Sequence, residues 1–437
     1  MNKAMDTGGM TLTQKRELIK KLAQKKRVQR NETLPAENDF SLFPEVQALQ
    51  KQLDELRADQ IENPTFLLHQ RPCGATTVVN GQEGLNFLHY NYLGMSREPE
   101  VLEAAKQAVE LYGMSTGGSR LAGGELPIHR ALEKELADFI GVEDAVTFLG
   151  GHAANESTIG HLLGRQDLLL HDALAHNSIL QGGQMAGVEM RAFPHLDWQA
   201  AQRILAESRH RYRRVMIAIE GAYSAEGNIP DLPKFIEVKE KHNALLFLDE
   251  AHSMGVLGET GRGICEHFGV EPQRVDILMG TLSKALGAAG GYIAGTKTLI
   301  RYLRYTAPGF VYSVGMSPPV AAAAFAALRI LRAQPQRVER LRQRADLFRH
   351  EARRLRLDIG ENDHGVVVPV YVNPTLACLR LSENLRKRGV FAGPMIPPVV
   401  TPGTSRLRFF VSTVHEEEQI RSAVRIVADE LQQLESE

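Results

Sequence analysis

Cysteine is scarce in this 437-residue chain. The three present, Cys73, Cys265 and Cys378, show neither a paired nor a metal-ligand spacing. That argues against a disulfide framework or a structural zinc site and fits a reducing compartment. Excess charge is missing too: 51 Lys and Arg stand against 52 Asp and Glu, so no global field favours nucleic acid or a strongly charged partner. Long apolar runs are lacking as well. The longest helical one, Val320 to Leu328, stops at Arg329, far short of a membrane span. With no signal peptide and no internal repeat visible, the sequence reads as a cytoplasmic protein of two or three domains.

What is there is well organised. Residues 1–44 form a basic extension, with eight Lys or Arg and one acid between Lys15 and Arg30, and Leu12, Ile19 and Leu22 near helical spacing. It reads as a solvated basic arm or as a docking helix for a partner protein. Residues 45–99 are expected to carry an amphipathic helix, about Phe43 to Asp59, then an edge hairpin, Ala75 to Val79 and Leu85 to His89, turning at Asn80-Gly81. From 100 to 332, helical periods alternate with short apolar strands. These fall at Ala145–Leu149, Leu168–Leu170, Val215–Ile219, Ala244–Leu248, Ile277–Met279 and Gly291–Ala294. Such alternation predicts a large α/β domain with a mostly parallel central sheet and helices on both faces. Pro318-Pro319 open an Ala-rich helix. Residues 333–437, with strands near Val366–Val370 and Leu407–Val411, predict a smaller C-terminal α+β domain.

Ligands of open α/β sheets sit beyond the carboxyl ends of the strands, and the chemically capable residues fall there. Gly150-Gly151-His152 follows the first strand and opens a helix, where backbone N–H groups can hold a phosphate; a purely steric role for the glycines is the other reading. Asp249 closes a strand. An acid there can partner a pyridinium nitrogen, or simply cap a helix. His252, three residues on, can reach a ring hydroxyl or be structural. Lys284 lies in the loop Gly280-Thr281-Leu282-Ser283-Lys284-Ala285-Leu286-Gly287, with two hydroxyls beside it. A lysine whose surroundings lower its pKa can form a Schiff base. Phosphate loop, acid and lysine, in that order, predict a pyridoxal phosphate (PLP) enzyme.

The motifs closely resemble the α-oxoamine synthases across about residues 45–435. The anchors are Tyr90-Asn91-Tyr92-Leu93-Gly94, Thr116-Gly117-Gly118-Ser119-Arg120, His129-Arg130-Ala131-Leu132-Glu133, Asp172-Ala173-Leu174-Ala175-His176-Asn177-Ser178, Glu220-Gly221-Ala222-Tyr223-Ser224, Asp249-Glu250-Ala251-His252, Thr281-Leu282-Ser283-Lys284 and Arg406-Leu407-Arg408. The resemblance implies a PLP-dependent transferase of fold type I. It also implies roles: Lys284 holds the cofactor and serves as acid and base, His176 stacks on its ring, Asp249 pairs with the ring nitrogen and His252 with the phenolic oxygen. Ser224 is expected near the ring. Gly151, His152 and Thr281 are expected at the phosphate, with Ser313 from a second subunit. Arg408 would bind the amino-acid carboxylate, assisted by Tyr90 or Asn91. A homodimer with shared sites follows from the same resemblance.

That family condenses a small amino acid with an acyl thioester, losing CO₂. Tyr90 resembles the serine palmitoyltransferase type, and Ser119 stands where glycine-restricted members usually carry Thr, which favours serine or alanine. Ile396 stands where 8-amino-7-oxononanoate synthases show Arg, which weakens but does not remove that alternative. Other departures are His152 for an aromatic, Ser115 for Gly, and Val314-Gly315 within the subunit-bridging Ser/Thr run. The acyl carrier is coenzyme A by default or an acyl-carrier protein steered to the basic extension. Another fold-type I enzyme, such as an aminotransferase, would share Asp249 and Lys284 without needing the Tyr90 and Ser119 motifs.

Overall fold

The computed structural model describes residues 38–71 and 73–436, so the basic segment and its docking helix lie outside the described residues. Residues up to Asn63 make a unit of their own, whose described part holds the expected amphipathic helix, Pro44–Ala58, with no buried residue. Pro44 starts that helix at the position where a missing N–H costs nothing.

The second unit runs from Pro64 onward and is built on a seven-stranded sheet. Its strands are β3 (Asp144–Phe148), β4 (Leu168–Asp172), β5 (Glu189–Phe193), β6 (Val215–Glu220), β7 (Leu245–Asp249), β8 (Ile277–Thr281) and β9 (Gly291–Gly295), in the order β3-β9-β8-β7-β6-β4-β5. Only β9 runs against its neighbours. Alternate residues feed two cores. Val215, Ile217 and Ile219 of β6 and Leu246 and Leu248 of β7 join the larger one, while Met216, Ala218 and Phe247 join the other. A strand covered on both faces must be apolar at every position, which is why these runs stand out in the sequence. β5 is the exception. As an edge strand it keeps Glu189 exposed and Met190 and Arg191 only half-buried, so it has no apolar run and was not expected.

The hairpin turns at Asn80-Gly81 as predicted, with φ of 50° and 84°, and β1 (Thr76–Val79) matches, but β2 is Gln82–Asn86 rather than Leu85–His89, because the tight turn lets pairing begin at once. Such a turn matches the twist of the two strands. It does not stay within residues 45–99, however. β11 (Val390–Phe391) pairs in parallel with β2, so chain from beyond residue 333 completes this sheet. A last sheet pairs β13 (Arg406–Phe410) with β10 (Val367–Tyr371) and β12 (Gly393–Met395). The helix Pro318–Ala333 buries Ala321, Ala324, Ala327 and Leu328, the face its sequence marked.

Two stacked histidines brace this region: His415 ties the C-terminal part to the hairpin, and His89 holds backbone beside it. His415 accepts the Ser412 N–H and meets the Asn86 carbonyl at 3.0 Å; His89 accepts the Asn91 N–H and meets the Gly74 carbonyl at 3.0 Å. Burial pushes His89 down from 6.5 to about 4 and His415 from 6.5 to about 3. Below pH 6.5 the unfolded chain therefore binds protons that the folded chain refuses. Their contribution is complete above pH 6.5 and is lost as pH falls toward those lower values, by about 1.4 kcal/mol per pH unit for each ring. Denaturant unfolding between pH 7 and 5 should show a shallower loss of stability in His415→Gln than in the wild type; equal slopes refute this account.

Candidate active site

β9 apart, the strands of the large sheet end along one edge, and the predicted residues collect there. A cavity of about 130 Å³ opens between Gly151, His176, Asp249, His252, Thr281 and Lys284. Asp249, the last residue of β7, is 4% exposed. Its Oδ1 accepts the Ala251 N–H at 2.9 Å and its Oδ2 the Asn155 side-chain amide at 2.8 Å. The helix-cap alternative fails, because turns follow Asp249 where a helix would have to start.

Glu220 ends β6 directly opposite Asp249 in the parallel register. Burial, and then the Asp249 charge beside it, holds the Glu220 carboxyl well above its usual range, while its Oε1 accepts the His176 N–H at 2.7 Å. Lys284 faces both acids. Burial lowers its pKa below 10.5, Asp249 and Glu220 pull it back up, and Arg408 adds to the lowering. Its Nζ lies 5.8 Å from the centre of the Tyr90 ring. His252 is buried against the Tyr92 hydroxyl, 2.7 Å from Nδ1; desolvation first, and the Lys284 charge second, hold it well below 6.5.

On the opposite side, the helix Gly151–Leu162 starts without a side-chain cap, so its first-turn N–H groups await an acceptor. Gly151 keeps this turn close to the sheet: a Cβ would lie 2.9 Å from Met279 Cε and 3.3 Å from Thr281 Cβ, so those side chains would have to give way. The Thr281 and Ser283 hydroxyls sit 2.8 Å apart beside it. His152 brings its backbone to this cradle, but its ring pairs with Glu156 at 3.0 Å and touches His176 edge-on, 6.0 Å between centroids. Arg408, on β13, lies 4.5 Å over the Phe410 ring and donates to the Ser224 carbonyl at 3.1 Å. Its Nε is buried without a partner. Arg406 is paired with Glu226 at 2.7 Å, yet no carboxylate meets Arg408 among the described residues.

Several expected residues are placed otherwise. Asn91 is buried, its amide donating to the Cys73 carbonyl at 3.1 Å and accepting the Ser96 N–H at 3.1 Å, so it braces backbone rather than facing the cavity. Ser224 holds Arg408 through its carbonyl and does not line the cavity. Ser119 and Ser313 do not line it either; an isolated bridge joins Ser119 to Val314, next to Ser313. Asn155, Ser178, Glu220 and Tyr92 are residues to which sequence reasoning gave no role. Asn155 could have been found, since it sits four residues past Gly151 on the same helical face.

Residues 82–427 match the aminotransferase class I and II family. This chain belongs to that family. Its curated relatives include the 8-amino-7-oxononanoate synthase of Treponema denticola, 36% identical over 89% of this chain and 97% of that protein. The 8-amino-7-oxononanoate synthase of Methylococcus capsulatus is 37% identical over 83% and 93%. Among solved structures, the serine palmitoyltransferase of Sphingomonas wittichii matches with a TM-score of 0.87 at 27% identity, covering 90% of this chain and 99% of that one. The S. paucimobilis enzyme, solved with a PLP–myriocin aldimine, gives 0.87 at 26%, covering 92% and 100%. The α-oxoamine synthase resemblance holds, and with it fold type I and PLP as the cofactor of this family member. The residues fit such a group: a buried acid, a lysine of lowered pKa, and an uncapped helix start closely packed at Gly151 against Met279 and Thr281.

In the apoenzyme, modification of Lys284 by trinitrobenzenesulfonate should titrate with a midpoint below 10.5. Asp249→Asn should lower that midpoint further, because it removes a charge that stabilises the ammonium. A midpoint at 10.5 in both would remove the tuned lysine.

Proposed function

We propose that this chain joins a small amino acid, serine or alanine, to an acyl thioester with loss of CO₂, giving an α-amino ketone. The observation that carries this reading is Arg408, a half-buried arginine whose buried Nε has no partner and whose charge acts on Lys284, beside Asp249 and Glu220. An unpaired arginine in such a place needs an anion, and its fork fits a carboxylate through two parallel bonds. Bound PLP supplies a carbonyl for amine attachment and an electron sink that acidifies the amino acid's Cα–H.

The chain's own residues do the rest. Gly151, the His152 backbone and Thr281 would hold the phosphate, Asp249 would keep the ring nitrogen protonated, and His252 would meet the phenolic oxygen. His176 covers one ring face. Lys284, with its pKa lowered by burial, takes the α-proton and later returns one at the same carbon. Arg408 fixes the carboxylate until it departs as CO₂, while Tyr90 narrows the space for the side chain. The acyl group arrives on coenzyme A or on a carrier protein that the basic extension attracts. We read the enzyme as a cytoplasmic homodimer in which Ser313 of each subunit reaches the other's phosphate. Among the described residues no helix is long and apolar enough to cross a membrane.

A second reading, an 8-amino-7-oxononanoate synthase-type enzyme, is favoured by the 36–37% identity to proteins of that name. Titrating the purified protein with glycine, alanine, serine and threonine and following the cofactor's absorbance decides the amino acid. A saturable change with serine or alanine is expected; a change with glycine alone would overturn the choice. Release of CO₂ on adding an acyl thioester is expected, and turnover without it would favour an aminotransferase. Arg408→Ala should cut kcat/KM for the amino acid on the order of 100-fold, with Lys restoring only part. Deleting residues 1–44 should slow turnover only with a carrier-bound acyl group if that group is the substrate.

A further inference from the structure

Three histidines of this fold carry their ring protons in the same way. His89 accepts the Asn91 N–H at Nδ1 (3.2 Å) and meets the Gly74 carbonyl at Nε2 (3.0 Å). His129 accepts the Leu126 N–H (3.3 Å) and meets the Met316 carbonyl (2.7 Å). His415 accepts the Ser412 N–H (3.1 Å) and meets the Asn86 carbonyl (3.0 Å). A backbone N–H only donates and a carbonyl only accepts, so each ring is neutral with its proton on Nε2.

His176 has the first half of this pattern without the second. Its Nδ1 accepts the Ser178 N–H at 3.3 Å and lies 2.7 Å from the Ser178 hydroxyl, while its Nε2 has no protein partner among the described residues. The hydroxyl is itself governed from behind. One hydrogen of the buried Asn155 amide goes to Ser178 Oγ at 2.8 Å and the other to Asp249 Oδ2 at 2.8 Å. The opposite amide orientation would set an oxygen against a carboxylate, so the donors are fixed. With Asn155 donating to it, the Ser178 hydroxyl turns its own hydrogen to Nδ1.

We infer that Asn155 and Ser178 are positioning residues that hold His176 as the neutral Nε2–H tautomer, leaving that N–H as the ring's free donor at the cavity. One amide thereby ties the acid at the ring nitrogen to the imidazole on the ring face. The charged and titratable groups facing His176 are Asp249, Lys284, His152 and Arg408, with Glu220 holding its backbone N–H; desolvation outweighs them and keeps its pKa below 6.5. The purpose of the arrangement rests on the PLP reading, whereas the tautomer rests on the hydrogen bonds alone.

The test is nitrogen NMR of the ¹⁵N-histidine-labelled holoenzyme near pH 7.5, with His176→Gln identifying the His176 signals. Nδ1 should show the shift of a bare nitrogen and Nε2 that of a protonated one. Ser178→Ala and Asn155→Ala should each move the tautomer ratio toward Nδ1–H about fivefold, the worth of one neutral hydrogen bond, while Ser178→Thr keeps the wild-type ratio. A protonated Nδ1 in the wild type, or ratios unchanged in both alanine variants, overturns the inference, and the wild-type spectrum decides it even if Asn155→Ala does not fold. The chromophore's absorbance in the same sample separates the two ideas. A bare Nδ1 without any PLP band would sink the cofactor reading and leave the tautomer assignment standing.

Discussion

The buried carboxylate of Asp249 is the constraint around which the site is arranged. It ends a strand that is apolar at every other described position, in a sheet covered on both faces, where an unpaired charge would be costly. Two N–H donors, from Ala251 and Asn155, make the charged form tenable. Its ionisation then acts on its neighbours. Glu220, set opposite it by the register, is pushed toward the neutral form, since two charges cannot share that space. Lys284 is pulled back toward its charged form against the desolvation that lowers it. A cationic ring at this place would satisfy Asp249, and the surrounding geometry is consistent with keeping that position for it.

The parallel part of the fold was legible because its strands are buried on both faces and so are written as unbroken apolar runs. Asp249, His252 and Lys284 were legible because they follow such runs. What stayed hidden has a physical cause in each case. β5 lies at an edge and alternates in polarity. β11 has two residues, too few for any pattern, yet it ties the hairpin to the C-terminal part of the chain. Asn91 and Ser224 were assigned to the ligand because their motifs matched, but hydrogen bonds to backbone occupy the Asn91 amide, and Ser224 meets Arg408 through its carbonyl. A motif shows which residues stand together along the chain; it does not show which way a side chain turns.

Asn155 illustrates the opposite failure. It sat within a quoted stretch, Gly150 to Asn155, whose glycines drew attention as a phosphate cradle. Its helical spacing from Gly151 sends it to the same cavity, where one amide serves Asp249 and Ser178 together. A residue whose amide hydrogens both go to other side chains offers no reactive group itself, so no chemical argument from residue type would single it out.

The subclass question turns on parts of the chain that differ in how tightly structure constrains them. Asp249, Lys284 and the Gly151 turn are set by burial and close packing and do not face a substrate side chain selectively, so they cannot separate a serine user from an alanine user. Tyr90 is different. It is 41% exposed at the cleft, edge-on to Phe410 at 4.7 Å and within cation–π reach of Lys284. A ring in that position reduces the open space beside Lys284. Ser119 lies off the cavity of its own chain, in a strand-like bridge with Val314. Whole-chain identity averages over both kinds of position. It can therefore favour one name while the few residues at the cleft favour another, and the cleft residues are the ones that meet the substrate.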